Sequence, residues 1–279
     1  GQGVRIIGDL PIYVAMDSAD VWAAPSSFQL DENLVPKEVA GVPPDYFSAD
    51  GQLWGNPLYN WDAMKAGGFG WWIRRVDGAR RLYDLLRLDH FRGFERYWAI
   101  PYGDTTARGG HWVAGPGMDL LRVLTGWFPD IRFIAEDLGQ LTPEVHALRA
   151  AFDPEGAGDY LPHNHIPGCA CYTGTHDNAP LAAWLQEADP AETAMARAYL
   201  GLNAEEGPVW GILRGGMSSV AELFVAQFQD YLELGADSRV NTPGMAEGNW
   251  QWRLLPGQLT DTLAEKIYAM TKRCGRLPK

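Results

Sequence analysis

The sequence has few cysteines and no long apolar run, and both shortages exclude classes of protein. Cysteine occurs only at Cys169, Cys171 and Cys274. These residues form no disulfide framework, and the spacing of the first pair suits neither a zinc site nor a redox CxxC motif. This usage favours a reducing cytoplasm. No apolar run approaches the roughly 18 residues of a membrane span. The chain opens with Gly1 and no signal peptide, so we expect it to begin within a longer protein.

Positive charge is also scarce. The chain carries 23 lysines and arginines against 35 aspartates and glutamates, for a net charge of -12. Such a surface repels phosphate backbones and anionic headgroups, so we expect neither a nucleic acid nor a membrane as a partner. The sequence has no Gly-rich phosphate loop after a strand, no GxSxG elbow and no HExxH spacing. A neutral ligand fits this charge balance best.

Tryptophan, in contrast, is abundant, with 12 residues in the chain. Aromatic side chains bury well, so packing in the core is the ordinary explanation. Flat apolar rings also stack on the C–H faces of sugars. The composition therefore leaves two interpretations open, a large aromatic core and a carbohydrate site.

Short apolar runs followed by helical patterns predict a parallel sheet. The runs cover residues 4–9, 85–89, 131–137 and 170–173, with a fifth candidate at 222–228. Near-continuous apolar strands that alternate with helices indicate a parallel sheet covered on both faces. We therefore expect an α/β fold.

Capping signals and composition mark the segments between these strands. The runs Thr142-Pro143-Glu144 and Asp189-Pro190-Ala191-Glu192 each predict the start of a helix, with a cap, a proline in the first turn and an early acid. Apolar residues at helical spacing fill residues 69–86. Residues 23–60 are rich in Pro, Gly, Asp and aromatics, which predicts a long excursion where binding residues tend to lie.

Four acidic residues share a place in this pattern: Asp9, Asp89, Glu136 and Asp177 each lie at the C-terminal end of a predicted strand. In a parallel α/β barrel, these ends converge on one face, where catalytic groups come from different strands. Arg87 shares a side of its strand with Asp89, since side chains alternate with a period of two. We expect Arg87 to keep the carboxylate of Asp89 ionised.

Each of these signals has an ordinary alternative. A single aspartate at a strand end is often a helix cap, and His90 or His176 alone is often a structural histidine with a hydrogen-bond partner. Taken together, the sequence has several carboxylates with Arg and His partners, many aromatics and no cofactor motif. This combination suits glycoside chemistry, in which one carboxylate attacks the sugar and a protonated one assists the leaving oxygen.

Seven stretches then make the chain resemble the amylomaltase family, the 4-alpha-glucanotransferases of the alpha-amylase clan. They are GDLPIYVA (8–15), AGVPPDYFSADGQLWGNPLYNW (40–61), RLDHFRGFERYW (87–98), IAEDLG (134–139), YLPHN (160–164), YTGTHDN (172–178) and GNWQWRLLPGQL (248–259). The resemblance implies a (β/α)8 TIM-barrel-type fold, with residues 1–279 as a single catalytic domain that carries a loop-rich insertion at about 23–60.

The chain also departs from the family pattern. Family members carry a long segment, including the first two barrel strands, ahead of the residues that match here. A strand that the family has between IAEDLG and YLPHN has no counterpart around residues 148–153, and Ala179-Pro180 replaces a family Asp-Thr pair. We therefore expect an incomplete barrel, lacking early strands and one internal strand.

The resemblance also implies roles for individual residues in a retaining double displacement on alpha-1,4-glucans. By motif match, Asp89 is the nucleophile, Glu136 the general acid and then base, and Asp177 the carboxylate that orients sugar hydroxyls and stabilises the transition state. The implied substrate-binding residues are Arg87, His90, His176, Asp9, Tyr46, Phe47, Gln52, Trp54 and Asn241.

The implied substrates are malto-oligosaccharides and glucans derived from starch or glycogen, with no metal or organic cofactor. Trp54 is our candidate for excluding water and holding the acceptor sugar, and ordinary loop packing is its alternative. Two other functions stay open. One is an alpha-glucan hydrolase of the same clan, and the other is an inactive fragment or glucan-binding remnant.

Overall fold

The computed structural model describes residues 3–44, 48–136, 145–147, 161–243, 245 and 247–278, with the backbone alone described for 145–147. The chain divides into two compact units, Gly1–Pro143 and Glu144–Lys279. Each unit contains a parallel sheet of its own. Within the described part of the chain, every helix is too short or too polar to cross a bilayer.

A three-stranded parallel sheet is the centre of the first unit. Its strands are β1 (Ile7–Leu10), β4 (Leu85–Leu88) and β7 (Arg132–Ala135), in the order β1-β4-β7. All four residues of β4 are buried, as expected for a central strand covered on both faces. In the register, Asp9 lies opposite Arg87, and Leu88 lies opposite Ala135. The polar groups near the ends of these strands therefore share one edge of the sheet.

A second sheet, which is antiparallel, completes the first unit. It contains β2 (Glu38–Val42), β3 (Gln52–Pro57), β5 (Arg96–Pro101) and β6 (His111–Ala114), in the order β3-β2-β5-β6. Gly41 permits the close pairing of β2 and β3, because a Cβ atom there would lie 2.2 Å from the Gln52 carbonyl oxygen. The excursion predicted for residues 23–60 therefore contributes two strands to this sheet.

Among the described residues, four α-helices pack in the first unit, and one of them places two tryptophans, Trp71 and Trp72, in the core. These helices are α1 (Ala19–Ala23), α2 (Trp61–Ala66), α3 (Gly70–Arg80) and α4 (Met118–Trp127). Trp72 of α3 is fully buried, and its ring lies 5.2 Å from that of Phe94 and 5.7 Å from that of Tyr59. Core packing thus accounts for part of the tryptophan content, whereas Trp54 and Trp250 stay exposed.

The second unit has a parallel sheet of β8 (Val145–Ala147), β9 (Ala170–Tyr172) and β10 (Leu223–Val225), in the order β10-β9-β8. Its helices are α5 (Leu181–Glu187), α6 (Pro190–Leu200), α7 (Pro208–Met217), α8 (Phe228–Tyr231) and α9 (Asp261–Arg273). The apolar face of α7 forms much of the core, where Trp210, Ile212 and Leu213 are buried.

The five strands predicted from apolar runs are confirmed in the structure, and both sheets that contain them are parallel. Asp189 caps α6 as predicted, since its Oδ1 accepts a hydrogen bond from the Ala191 amide at 2.7 Å.

Two helix predictions are corrected. The helix predicted to begin at Thr142-Pro143-Glu144 is wrong over residues 145–147, which pair with β9 as a strand, and the three capping residues lie outside the described residues. The helical pattern over residues 69–86 ends at Arg80 instead, because residues 81–84 turn back to enter β4. Residues 148–153, where a family strand has no counterpart, also lie outside the described residues.

Candidate active site

The parallel sheet of the first unit brings three acidic residues to one edge. Asp9 is the third residue of β1, Asp89 follows β4 directly, and Glu136 follows β7 directly. The ladder continues past the strand ends, since the Asp89 amide donates to the Leu10 carbonyl at 3.1 Å and the Glu136 amide donates to the Leu88 carbonyl at 3.1 Å. These bonds fix the backbone on which the carboxylates stand.

Arg87 joins the three carboxylates. Its Nη1 donates a hydrogen bond to Asp9 Oδ1 at 2.6 Å and lies 2.8 Å from Asp89 Oδ1, while its Nη2 forms an ion pair with Glu136 Oε1 at 2.5 Å. The Arg87 side chain is only 6% exposed. One guanidinium therefore holds the carboxyl groups of Asp89 and Glu136 side by side, as the strand-end pattern predicted.

Burial dominates the electrostatics of this cluster. Burial, the negative charge of Glu136 and a hydrogen bond with Glu136 together raise the pKa of Asp89 from 3.8 to about 6. Arg87 acts in the opposite direction and does not outweigh them. Asp89 is still largely ionised at pH 7, and Arg87 is the group that lowers its pKa. For Arg87 itself, burial lowers the pKa, but the three carboxylates outweigh burial and raise the pKa above its usual range.

His90 lies beside the cluster and contacts Glu136. Its amide donates to Glu136 Oε2 at 2.8 Å, and its ring is buried. Burial lowers the pKa of His90 from 6.5 to about 4, so the imidazole is neutral near pH 7. The residue adopts a left-handed conformation with φ 48°, an uncommon geometry for a side chain of this size that is often found at functional sites.

Trp54 lies next to His90, and both Trp54 and Gln52 belong to strand β3 rather than to the loop that the sequence predicted. The Trp54 ring meets the His90 ring edge-on, with centroids 4.9 Å apart. Its Nε1 donates to Gln52 Oε1 at 3.1 Å, and the side chain stays 37% exposed. The predicted Tyr46 and Phe47 lie outside the described residues.

The second unit brings together its own three predicted residues. Asp177 lies in the segment after β9, where its Oδ1 accepts a hydrogen bond from Asn241 Nδ2 at 2.5 Å and its Oδ2 lies 3.4 Å from His176 Nε2. The Asn241 amide donates to the His176 carbonyl at 3.2 Å. Both oxygens of Asp177 therefore have polar neighbours, and its side chain remains partly exposed.

Two residues near Asp177 were not predicted. Arg239 Nη2 donates to the Asp177 carbonyl at 2.5 Å, and the ring of Trp250 lies 5.1 Å from that of His176. The stretch 248–259 marked the family resemblance, but nothing in the spacing of residues shows that Trp250 meets His176. The place of Trp250 in that stretch is the one signal in the sequence that could have identified it, whereas Arg239 lies outside all seven stretches.

Neighbouring carboxyl groups, one of them with a raised pKa, can divide the roles of proton donor and nucleophile. No group of three or more His, Cys, Asp or Glu residues in the described ranges is arranged to hold a metal ion. The guanidinium of Arg87 stands where the three carboxylates of the first unit converge. The arrangement therefore suits a reaction in which positive charge develops on a small neutral substrate and the neighbouring carboxylates stabilise it.

Comparison with known proteins gives a consistent result over the whole chain. A family model described as 4-alpha-glucanotransferase matches residues 1–260. The 4-alpha-glucanotransferase of Thermus thermophilus is 47% identical, over 99% of this chain and 59% of the relative. That of Clostridium butyricum is 44% identical, over 99% of this chain and 59% of the relative. The chain thus spans about three-fifths of the length of these relatives.

Among solved structures, the amylomaltase from Streptococcus agalactiae in complex with acarbose superposes with a TM-score of 0.94. It is 37% identical, and the match covers 99% of this chain and 58% of that one. The similarity shows an amylomaltase-type fold, which is of the TIM-barrel type.

Proposed function

The chain belongs to the 4-alpha-glucanotransferase family, and we propose that it transfers alpha-1,4-glucan segments between malto-oligosaccharides by a retaining double displacement. The observation that carries the proposal is the contact of the Asp89 and Glu136 carboxyl groups with one guanidinium, that of Arg87. Retaining glycosidases need two carboxyl groups about 5–5.5 Å apart, and a shared guanidinium holds this pair close together.

In the first step, Asp89 attacks the anomeric carbon while Glu136 protonates the glycosidic oxygen of the leaving glucan. This step forms a covalent glucosyl-enzyme and breaks the old glycosidic bond. With a pKa of about 6, Asp89 is largely ionised at pH 7 and above.

In the second step, Glu136 accepts the proton of an acceptor hydroxyl, whose oxygen attacks the glucosyl-enzyme and releases Asp89. Asp177 orients hydroxyl groups of the sugar and stabilises the transition state, with its carboxylate fixed by Asn241. The remaining substrate contacts come from Arg87, His90, His176, Asp9, Gln52, Trp54, Asn241, Tyr46 and Phe47. His90 binds as a neutral imidazole, since burial lowers its pKa to about 4.

Transfer exceeds hydrolysis when a sugar hydroxyl reaches the intermediate before water does. Trp54 supports this step, because its partly exposed ring lies against His90, which in turn contacts Glu136. A flat apolar surface there holds an acceptor sugar and excludes water.

We extend the proposal to the organisation and location of the protein. Residues 1–279 act as a single catalytic barrel domain with a loop-rich insertion at about 23–60. The cysteine usage, with three residues in the chain and no disulfide framework, supports a cytoplasmic location. The substrates are malto-oligosaccharides and glucans from starch or glycogen, and nucleic acid is no partner.

Product analysis with maltotriose tests the proposed activity. Transfer yields glucose together with a ladder of longer chains, whereas hydrolysis yields only glucose and maltose. Asp89→Asn and Glu136→Gln should each abolish the ladder, and the exposed Glu205→Gln serves as a matched control that retains it. A folded chain that yields no products, or a Glu136→Gln variant with near-full activity, would overturn the proposal.

A further inference from the structure

Trp250 is an exposed tryptophan on a strained backbone. Its side chain is 56% exposed and its φ is 63°. The left-handed region is costly for a bulky residue, and such residues persist where the surrounding structure fixes them, often at functional sites. Exposure of a large apolar ring adds a second cost, since burial would be favourable. The fold therefore keeps this ring in solvent despite the cost of its left-handed backbone and the cost of exposing an apolar surface.

Hydrogen bonds on both sides hold the backbone of Trp250. Its amide donates to the Val240 carbonyl at 2.7 Å, and its carbonyl accepts from Arg253 Nη1 at 2.9 Å. The preceding Asn249 accepts from the Thr242 amide at 2.8 Å through its side-chain oxygen. These contacts involve the backbone and neighbouring side chains, so they leave the indole face free to bind a ligand.

The ring points at the polar groups of the second unit. The Trp250 and His176 rings lie 5.1 Å apart at 41°, and His176 Nε2 lies 3.4 Å from Asp177 Oδ2. Asn241 completes the group through its hydrogen bond to Asp177. A flat apolar face beside a carboxylate and an amide matches the two sides of a glucose unit, whose C–H face is apolar and whose rim carries hydroxyls.

We propose that Trp250 is a further glucan-binding residue, on which one glucose unit of the alpha-1,4-glucan stacks while its hydroxyls meet Asp177 and His176. This inference rests on the proposed function and adds a subsite residue to it. Stacking removes apolar surface of ring and sugar from water. The left-handed backbone fixes the ring before the ligand arrives, which lowers the entropic cost of binding.

Binding can be measured without turnover by placing each variant in a Glu136→Gln background and titrating maltotetraose by calorimetry. We expect Trp250→Asn to raise the Kd about 5–10-fold, the range that aromatic contacts typically contribute. Trp250→Phe keeps a flat ring and should stay within about twofold of the parent. Trp127→Leu, at the exposed end of α4 in the first unit, should leave the Kd unchanged.

Asparagine separates binding from folding, because it tolerates the left-handed backbone better than tryptophan does. Trp250→Asn should therefore keep or raise the melting temperature while it weakens binding. The inference is overturned if Trp250→Asn binds within twofold of the parent, if it loses its cooperative melt, or if Trp250→Phe binds as weakly as Trp250→Asn. A Glu136→Gln parent that binds no maltotetraose would instead count against the proposed function itself.

Discussion

At the scale of single residues, the ion cluster around Arg87 sets one positive group against three acidic groups, so its charges do not cancel. One guanidinium contacts three carboxylates, those of Asp9, Asp89 and Glu136. Arg87 thus offsets only part of the cost of bringing these negative charges together away from water. Burial and the remaining repulsion together raise the pKa of Asp89 to about 6. A titratable group whose pKa is shifted in this way is typical of a reaction centre.

The raised pKa predicts how Asp89 affects stability with pH. Because the folded pKa of about 6 exceeds the reference value of 3.8, Asp89 favours the fold below pH 4, and this contribution is lost as pH rises through 6. Asp89→Asn removes the charge, so we expect it to raise the free energy of unfolding at pH 7.5 by about 1–2 kcal/mol, after a discount for a side chain that is 33% exposed.

Chemical denaturation of Asp89→Asn and parent at pH 7.5 and pH 4 measures this difference, which should shrink to near zero at the lower pH. Glu205→Gln, which replaces an exposed acid, is the control variant in the same measurement. An Asp89→Asn variant that is less stable than the parent at pH 7.5 would show that the Arg87 ion pair outweighs burial.

At the scale of elements, a buried aspartate positions the segment that carries His176 and Asp177. Asp230 of α8 is fully buried. It accepts a hydrogen bond from Thr173 Oγ1 at 2.6 Å and another from the Leu181 amide at 2.7 Å. Thr173 follows β9 and Leu181 begins α5, so one carboxylate fixes both ends of the intervening segment.

Asp230→Ala should therefore cost stability and function together. It leaves the Thr173 hydroxyl and the Leu181 amide without their acceptor, and we expect a loss of about 2–4 kcal/mol in the free energy of unfolding. The exposed Asp237→Ala should stay within about 0.5 kcal/mol of the parent. Urea denaturation compares the two variants, and equal stabilities would show that Asp230 does not hold this segment.

The parallel strands were predictable because each is a short apolar run with polar bounds. The strand β4 shows why, since Leu85 to Leu88 is buried throughout and only Arg87 interrupts its apolar sequence. The antiparallel sheet was harder to predict. Its strand β3 contains Gly55 and ends at Pro57, residues that signal turns, and β2 pairs with β5 far along the chain. Local sequence does not encode such a distant partner.

The candidate site was likewise predictable only in part. The convergence of Asp9, Asp89 and Glu136 follows from strand ends alone, because parallel strands present their carboxyl ends at one edge. The net pKa of Asp89 could not be predicted, since it sums burial and the nearness of Glu136, and both depend on the folded structure. The contact of Trp250 with His176 joins distant segments, and no local pattern indicates it.

At the scale of the whole molecule, the residues assigned to the proposed chemistry are divided between the two compact units. Asp89 and Glu136 belong to Gly1–Pro143, whereas Asp177 belongs to Glu144–Lys279. The family match extends across both, over residues 1–260. Each unit has a hydrophobic core of its own.

Asp177→Asn tests the role proposed for this carboxylate within the intact chain. Loss of one charge that stabilises the transition state typically costs about 10²–10³-fold in rate, so we expect the release of glucose from maltotriose to fall by that factor. Asp189→Asn is the matched control, because Asp189 caps α6 in the same unit and asparagine caps almost as well. Circular dichroism should show both variants melting like the parent. If Asp177→Asn kept more than about a tenth of the parent rate, the role proposed for Asp177 would be wrong, and the catalytic assignment would reduce to the carboxylates around Arg87.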